Sequence, residues 1–385
     1  MTLSPTPPAS SFSGSTRDAS SPMSLPESGA AGDPSFRNAI LTAPRWFRVM
    51  AILLTAAIAL AILCLQAGTV YVSIGEILRV IGRAVGVLVT SNASDTTIDT
   101  IVLQLRMPRV ILGFLVGGSL ASVGVMLQAL LRNPLADPYI LGVSSGSALG
   151  VSLAVLFGIG TMTWAIPVLP VCGFLGGLLA LLVLYRISAT TYDRLPVHSV
   201  LLAGVILNAI FSALIMFVTS IMEPNRAFAM MAWLMGSLSA PLDQTLLALS
   251  AYLAVCLVLL FRQVSVLNIM TLGEEPARSL GVDTERAKRS ILMTAALITG
   301  AVVSVSGMIG FIGMVVPHAM RLMLGADHRL LLPASALVGG AFLMTADTFA
   351  RSAFGPSELP VGIMTALAGG PFFIYLLVWR KDRLT

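Results

Sequence analysis

Charged side chains are scarce in this 385-residue chain, where they make up 11% of all residues. A soluble domain usually carries about a quarter of its residues as Asp, Glu, Lys and Arg. Hydrophobic residues reach 56%, and the mean hydropathy is +0.91. Such a chain cannot cover its own surface with polar groups. A soluble globular fold is therefore excluded, and a lipid bilayer must be its solvent.

A nucleotide-binding loop is also missing. The phosphate-binding loop of NTPases needs a lysine directly after a glycine. The chain has only two lysines, Lys288 and Lys381, and they follow Ala287 and Arg380. No hydrophobic run holds a paired carboxylate, a histidine cluster or a nucleophile elbow. We predict that the chain is not an enzyme and that a separate subunit hydrolyses any ATP that drives it.

Cysteine and histidine are equally rare, with three residues of each. The cysteines lie far apart in apolar runs, which is typical of packing residues rather than of a disulfide framework. None of the histidines has a second histidine or a cysteine at ligand spacing, so hydrogen bonding at helix ends is the simpler interpretation. We expect no metal site, no cofactor and no nucleic-acid partner. The residues concerned are Cys64, Cys172, Cys256, His198, His318 and His328.

Ionisable residues are nearly absent from the hydrophobic runs. A proton- or sodium-coupled transporter needs such residues inside the membrane. Asp347 is the main exception, and Arg351 follows it by four residues on the same helical face, so a local ion pair is as good an interpretation as function. The scarcity argues against an ion-coupled secondary transporter, which remains the alternative from another class.

Long apolar runs are what the chain does have. A membrane-spanning helix needs about 20 apolar residues, and the runs predict about ten such helices in an all-α integral membrane protein. The runs cover residues 49–75, 110–131, 139–185 (two helices), 199–222, 244–261, 290–320 (two helices), 330–346 and 359–379.

The distribution of basic residues predicts the orientation. An even number of helices places both ends of the chain on one side, and most arginines then fall on the side of the N-terminus. This asymmetry follows the positive-inside rule and predicts that both termini are cytoplasmic. Residues 1–44, rich in Ser, Pro, Gly and Ala, predict a disordered cytoplasmic tail, and residues 45–385 form the membrane domain. The predicted outer side keeps Arg79, Arg83, Arg106, Arg109, Arg226 and Arg351.

Two connecting segments on the predicted outer side have helical character. Residues 70–88 form an amphipathic stretch that suits the membrane surface. Residues 224–241 predict either a short interfacial helix or a segment that folds back into the mouth of a pathway.

Small residues recur at four-residue spacing, which lets membrane helices approach closely. Tight packing is the favoured interpretation of this pattern. The alternative is that one such segment lines the translocation pathway, through Gly142, Ser144, Ser145 and Gly146.

The polar stretch 268–289 predicts a short helix on the cytoplasmic side. Pro276 suits only the first turn of a helix, so the helix should begin near Gly273. Glu274 and Glu275 favour the positive end of its dipole, and Gly281 suits a left-handed terminating position. We expect a rigid helix of about two turns whose Ala277 and Leu280 dock into a partner's groove; an ordinary amphipathic loop is the alternative.

Taken together, these segments closely resemble the FecCD family, the permeases of siderophore, haem and cobalamin importers. The matching motifs run in order along the chain: LRMPR at 105–109, NPLADP at 133–138, LGVSSG at 141–146, LAGV at 202–205, LGE at 272–274 with LG at 280–281, GFIG at 310–313 with VPH at 316–318, DHRLLLP at 327–333 and ELPVG at 358–362. The long N-terminal tail departs from the family pattern.

The resemblance implies a ten-helix permease bundle of the type II ABC importers in the inner membrane. It implies pairing with a second copy or a paralogue, two ATPase subunits on the cytoplasmic side, and a periplasmic or lipid-anchored substrate-binding protein outside. The substrate it favours is an iron(III)-siderophore, with haem or cobalamin as alternatives.

The resemblance also assigns residues. Glu274, Glu275, Ala277, Leu280 and Gly281 fall in the helix that couples to the ATPase. Glutamates of the binding protein would pair with outward-facing arginines, whose planar guanidinium binds carboxylates in a bidentate manner; pairing with lipid headgroups or with Glu358 is the alternative. The arginines are Arg106, Arg109 and Arg351.

Overall fold

The computed structural model describes residues 41–68, 70–84, 96–159, 168–189, 196–238, 244–353 and 358–379, and every regular element in these ranges is a helix. The α-helices, numbered in chain order, are α1 (Ala43–Gln66), α2 (Ile74–Ala84), α3 (Thr96–Thr100), α4 (Met107–Leu130), α5 (Val143–Leu156), α6 (Val168–Ser188), α7 (Val197–Ser220), α8 (Pro224–Leu234), α9 (Gln244–Met270), α10 (Glu274–Ser279), α11 (Thr284–Ser306), α12 (Ile312–Leu324), α13 (His328–Ser352) and α14 (Val361–Trp379). Most of the predicted tail lies outside these ranges.

The predicted number of spans is confirmed. Seven helices are long and apolar enough to cross a bilayer, and α5, α12 and α14 are shorter apolar helices, which together make ten in the described part of the chain. The ends of the chain that the structure describes, at α1 and α14, lie on one side under this count. We call that side the predicted cytoplasmic face and the opposite side the predicted outer face.

The second span begins earlier than the predicted residue 110. Helix α3 continues through a π-helical stretch, Ile101–Arg106, into α4. In this stretch the backbone N–H of Met107 donates to the carbonyl of Val102, five residues back. Pro108 has no N–H to donate, so a wider turn next to it costs little backbone hydrogen bonding. The extension brings Arg106 into the helix.

The two shortest spans are completed by loops inside the bundle. Helices α5 and α12 have 14 and 13 residues, or about 20 Å at 1.5 Å per residue, which is less than the ~30 Å hydrocarbon core. The loop before α5 meets the loop before α12: Pro138 packs on Gly313, and the Tyr139 hydroxyl accepts a hydrogen bond from the N–H of Ile309. Non-helical backbone is tolerated at this depth because protein surrounds it.

Helix α4 forms the centre of the bundle, and all of its residues after Leu115 are buried. It packs on α13 through a backbone contact in which a β-carbon at Gly117 would overlap the carbonyl oxygen of Gly339. The predicted role of small residues in close helix packing is thus confirmed at this crossing.

We expect Gly117→Ala to lower the melting temperature of the detergent-purified protein by roughly 5 °C. Overpacking typically costs about 1–3 kcal/mol, and each kcal/mol shifts the midpoint by about 2–4 °C in larger domains. Gly370→Ala is the matched control, since a β-carbon there meets nothing within 4 Å. Equal melting temperatures for the two variants would contradict this packing.

Both predicted helical segments on the outer side are present. Helix α2 begins with a capping box, in which Ser73 and Glu76 each accept a hydrogen bond from the other's backbone N–H. The Ser73 hydroxyl donates to the Glu76 carboxylate (2.6 Å), and this bond, with that from the Ser73 backbone N–H, holds the pKa of Glu76 below its usual value. Helix α8 matches the predicted interfacial helix, and the chain after it turns inward, where the N–H of Ser237 donates to the carbonyl of Ser306 (2.8 Å).

Candidate coupling and docking sites

Helix α10 has the ends that its sequence predicts. Gly273 precedes it at φ 131°, and the two glutamates lie in its first turn. Gly281 follows it at φ 83°, in the left-handed region that favours glycine. The N–H groups of Gly281 and Val282 return to the carbonyls of Arg278 and Ala277, which closes the helix. The predicted short helix is therefore confirmed, with both of its predicted ends, and its cytoplasmic location stays a prediction.

Four charged side chains tie α10 to the first turn of α11. The Nζ of Lys288 lies 2.7 Å from Glu274 and 3.1 Å from Glu285. Arg278 lies 3.6 Å from Glu274 and 3.5 Å from Glu285. The Lys288 side chain is only 5% exposed, whereas the glutamates are partly solvated. We call these four residues the charge cluster. Because its charges balance, it holds the two helices together without leaving a buried ion unpaired.

The charge cluster could be seen only in part in the sequence. The spacings Glu274 to Arg278 and Glu285 to Lys288 are those of helical neighbours and are visible there. The pairs across the turn at Gly281, Lys288 with Glu274 and Arg278 with Glu285, are not visible in the sequence, because they depend on how α10 folds back on α11.

The surface of α10 differs from the prediction at one residue. Ala277 was expected to dock into a partner, but it is fully buried in the chain's own apolar core. Leu280 is 64% exposed, and Leu272 and Glu275 are exposed beside it. The side of α10 that carries Ala277 faces the bundle, so the surface open to a partner lies on its other sides and includes Leu272, Glu275 and Leu280.

A second link joins helix ends on the same face. The side-chain N–H of Asn268, near the end of α9, donates to Asp327 (2.9 Å). The amide oxygen of Asn268 accepts from the backbone N–H of His328, the first residue of α13 (3.0 Å). Arg132 also donates to the carbonyl of Met270 (3.1 Å). Helix α10 therefore follows directly on a helix end that is fixed to α13.

The three arginines predicted to dock a binding protein, Arg106, Arg109 and Arg351, line a cavity of about 390 Å³. Arg109 forms a 2.8 Å ion pair with Glu358, in which the arginine side chain is 19% exposed and the glutamate 58%. Arg351 donates to the carbonyl of Cys64 (2.8 Å) and lies 3.7 Å from Asp347. Pairing of an outer arginine with Glu358 was the alternative interpretation, and it is the arrangement seen for Arg109.

Arg106 does not face outward. Its side chain is buried, and its guanidinium donates to the backbone carbonyls of Leu65, Gln66 and Val70. These carbonyls lie at and just beyond the end of α1, where carbonyl groups have no backbone N–H of the same helix to accept from. In this structure Arg106 ties the end of α1 to the π-helical stretch, and its contact with a binding protein stays a prediction.

The predicted pathway segment is also internal. Gly142, Ser144, Ser145 and Gly146 are all buried. A β-carbon at Gly146 would overlap that of Ala180, on α6. The Ser145 hydroxyl donates back to the carbonyl of Gly142. The segment presents no open surface, which favours the packing interpretation, and the pathway role of these residues stays a prediction.

An open apolar stripe lies on α7, where the sequence predicted a span and a family motif at 202–205 but no pathway or interface role. Its large side chains recur every three to four residues and are roughly half exposed. They are Leu202, Val205, Ile206, Ile210, Leu214 and Phe217.

Comparison with known proteins decides the family. The FecCD transport family matches residues 53–379. The chain belongs to the FecCD family. The permease is 41% identical over 287 residues to the hemin transport system permease protein HmuU of Yersinia pestis, covering 73% of this chain and 84% of HmuU. It is 44% identical over 290 residues to the cobalamin import system permease protein BtuC of Halobacterium salinarum, covering 74% and 76%.

A solved structure agrees with this assignment. The permease superposes with a TM-score of 0.74 and 30% identity on a protein described as a metal-chelate type ABC transporter in an inward-facing conformation, covering 86% of this chain and 99% of that one. The permease is thus a multi-pass ABC transport component, and the type of bundle expected from its sequence is confirmed.

Proposed function

We propose that this permease imports an iron(III)-siderophore across the inner membrane, driven by two ATPase subunits. The observation that carries the proposal is α10, a capped helix on the basic side of the bundle. Its Leu280 is exposed, and the ion pairs of the charge cluster join it to α11. The solved relative described as a metal-chelate transporter supports an iron chelate. The hemin and cobalamin permeases among the relatives make haem and cobalamin the alternatives.

In this proposal both termini are cytoplasmic. ATP binding draws the ATPase subunits together, and they push on the exposed surface of α10. The charge cluster transmits the movement of α10 to α11. The hydrogen bonds of Asn268 with Asp327 and His328 couple the end of α9 to α13, so the bundle tilts as a unit. The chain performs no chemistry: it provides a pathway that opens alternately to each side.

The second permease subunit packs, in this proposal, on the apolar stripe of α7. Half-exposed large side chains in a regular stripe suit either lipid or protein. A pair of subunits that share this face would place a pathway between them, lined by apolar groups that suit a bulky chelate.

Stimulation of ATP hydrolysis by loaded binding protein tests the choice of substrate. The permease would be purified with its cognate ATPase and binding protein and reconstituted in nanodiscs. We expect ATP hydrolysis to rise on addition of binding protein loaded with an iron(III)-siderophore, and not with haem or cobalamin. Stimulation by haem or cobalamin alone would replace the proposed substrate with that one.

The outer docking site, as we propose it, uses Arg109 and Arg351 to receive carboxylates of the binding protein. Arg109→Glu should weaken docking about tenfold or more, because like charges at an interface repel and an arginine–carboxylate pair is lost. The loss would be measured as the Kd of the binding protein for the reconstituted permease.

A charge swap separates docking from folding. The double variant Arg109→Glu/Glu358→Arg restores the internal ion pair but exchanges the positions of the two charges. If Arg109 itself meets the partner, docking stays weak in the double variant while the melting temperature recovers. Recovery of docking together with stability would show that the pair is only structural.

A further inference from the structure

An apolar groove of about 650 Å³ runs between α1, α4, α9 and α13. Its volume is within the ~300–1,000 Å³ of small-molecule sites in proteins. The groove opens sideways, because Phe47, Leu54 and Phe261 on its walls are exposed. The full lining is Trp46, Phe47, Met50, Ala51, Leu54, Phe114, Leu115, Gly118, Ser119, Leu257, Phe261, Pro333, Ala336 and Leu337.

The groove begins at the predicted cytoplasmic face. Trp46 lies in the first turn of α1, and its indole N–H donates to the backbone carbonyl of Arg329 in the first turn of α13 (3.1 Å). Tryptophan is enriched at headgroup depth, where its ring is apolar and its N–H polar. Phe114 and Leu115, on the central helix α4, form the deep end, so the groove runs from the headgroup level into the hydrocarbon region.

Two exposed arginines lie next to the shallow end. Arg48 precedes the groove residue Ala51 by three positions on α1, and Arg329 precedes the groove residue Pro333 by four positions on α13, so each is a neighbour of a lining residue on its helix. Basic residues at this depth attract anionic lipid headgroups. A basic rim above a membrane-facing apolar groove is the complement of a molecule with an anionic head and an aliphatic tail.

We propose that this groove holds an anionic phospholipid of the adjacent leaflet, with one acyl chain between α1 and α13 and the phosphate among the arginines. An unfilled groove of this size would lose the dispersion contacts of its aromatic and aliphatic lining. The membrane supplies acyl chains to fill the groove, and the arginines at its shallow end favour lipids with anionic headgroups.

Fluorescence quenching of Trp46 tests the proposal. The full-length permease, with its ATPase, is placed in nanodiscs of phosphatidylcholine that contain either brominated phosphatidylglycerol or brominated phosphatidylcholine. The Trp46 signal is the difference between the wild type and Trp46→Phe. We expect brominated phosphatidylglycerol to reach half-maximal quenching at a mole fraction roughly fivefold or more below that of brominated phosphatidylcholine.

Two pairs of variants test the site itself. Arg48→Gln/Arg329→Gln should abolish the preference for phosphatidylglycerol, whereas Arg286→Gln, an exposed arginine on the same face, should keep it. Ala51→Phe, which fills the groove, should reduce quenching by either lipid, whereas Ala59→Phe, exposed on the same helix outside the groove, should not. Equal quenching by the two lipids, or a preference that survives loss of the rim arginines, overturns the proposal. Weak quenching by both lipids in the wild type also overturns it, since protein would then cover the groove.

Discussion

Leu280→Glu should detach the ATPase from the permease while leaving the bundle folded. Leu280 is 64% exposed at the end of α10, and no part of the described fold depends on its side chain for burial. Burying a leucine in a partner's groove is worth about 1.5–3 kcal/mol, and forcing a carboxylate into that groove costs more. We therefore expect the Kd for the ATPase to rise about 100-fold or more and ATP-driven uptake to disappear.

Met323→Glu is the matched control for this prediction. Met323, on α12, is another exposed apolar residue on the predicted cytoplasmic face, but it lies outside α10. Met323→Glu should leave both ATPase binding and uptake near the wild-type level. Co-purification with a tagged ATPase, together with the melting temperature of each variant, measures the effect. Normal ATPase binding by Leu280→Glu would remove α10 from the interface.

Lys288→Met should uncouple the ATPase from transport rather than detach it. Its ammonium group holds Glu274 and Glu285 together from a nearly buried position. Breaking a buried ion pair by removing one partner costs about 3–5 kcal/mol, and the partial exposure of the glutamates places the cost at the lower end. Without the lysine, a movement of α10 is no longer transmitted to α11. We expect ATP hydrolysis to continue while uptake per ATP falls about tenfold.

Removal of the two glutamate charges provides the control for Lys288→Met. The triple variant Glu274→Gln/Glu285→Gln/Lys288→Met has no like charges in contact, so α10 should settle back on α11 and part of the coupling should return. Lys288→Arg, which keeps the charge, should retain more uptake per ATP than Lys288→Met. Unchanged uptake per ATP in Lys288→Met would show that the charge cluster does not transmit the movement.

The sequence predicted the spans and the short helix α10 because local physics decides both. A run of about 20 apolar residues has few options in a membrane-bound chain. Pro276 and Gly281 restrict the backbone wherever they stand, so the ends of α10 followed from them. The start of the second span was missed, because the apolar run begins only after Arg106 and Arg109, whereas the helix already runs through the π-helical stretch that ends at Arg106.

The candidate sites were harder to predict because burial depends on distant partners. Nothing near Arg106 in sequence shows that the carbonyls at the end of α1, some 40 residues away, occupy its guanidinium. Ala277 is small and lies on a polar helix, so only its contact with the bundle reveals it as a core residue. The same holds for Gly146, whose close neighbour Ala180 lies on another helix.

Uptake by reconstituted permease with and without its ATPase tests the central claim most directly. Proteoliposomes would hold the wild-type permease and external binding protein loaded with an iron(III)-siderophore, and either internal ATPase with ATP or an imposed proton or sodium gradient alone. We predict uptake only when ATPase and ATP are present together. Uptake by the permease alone in response to an ion gradient would contradict the account.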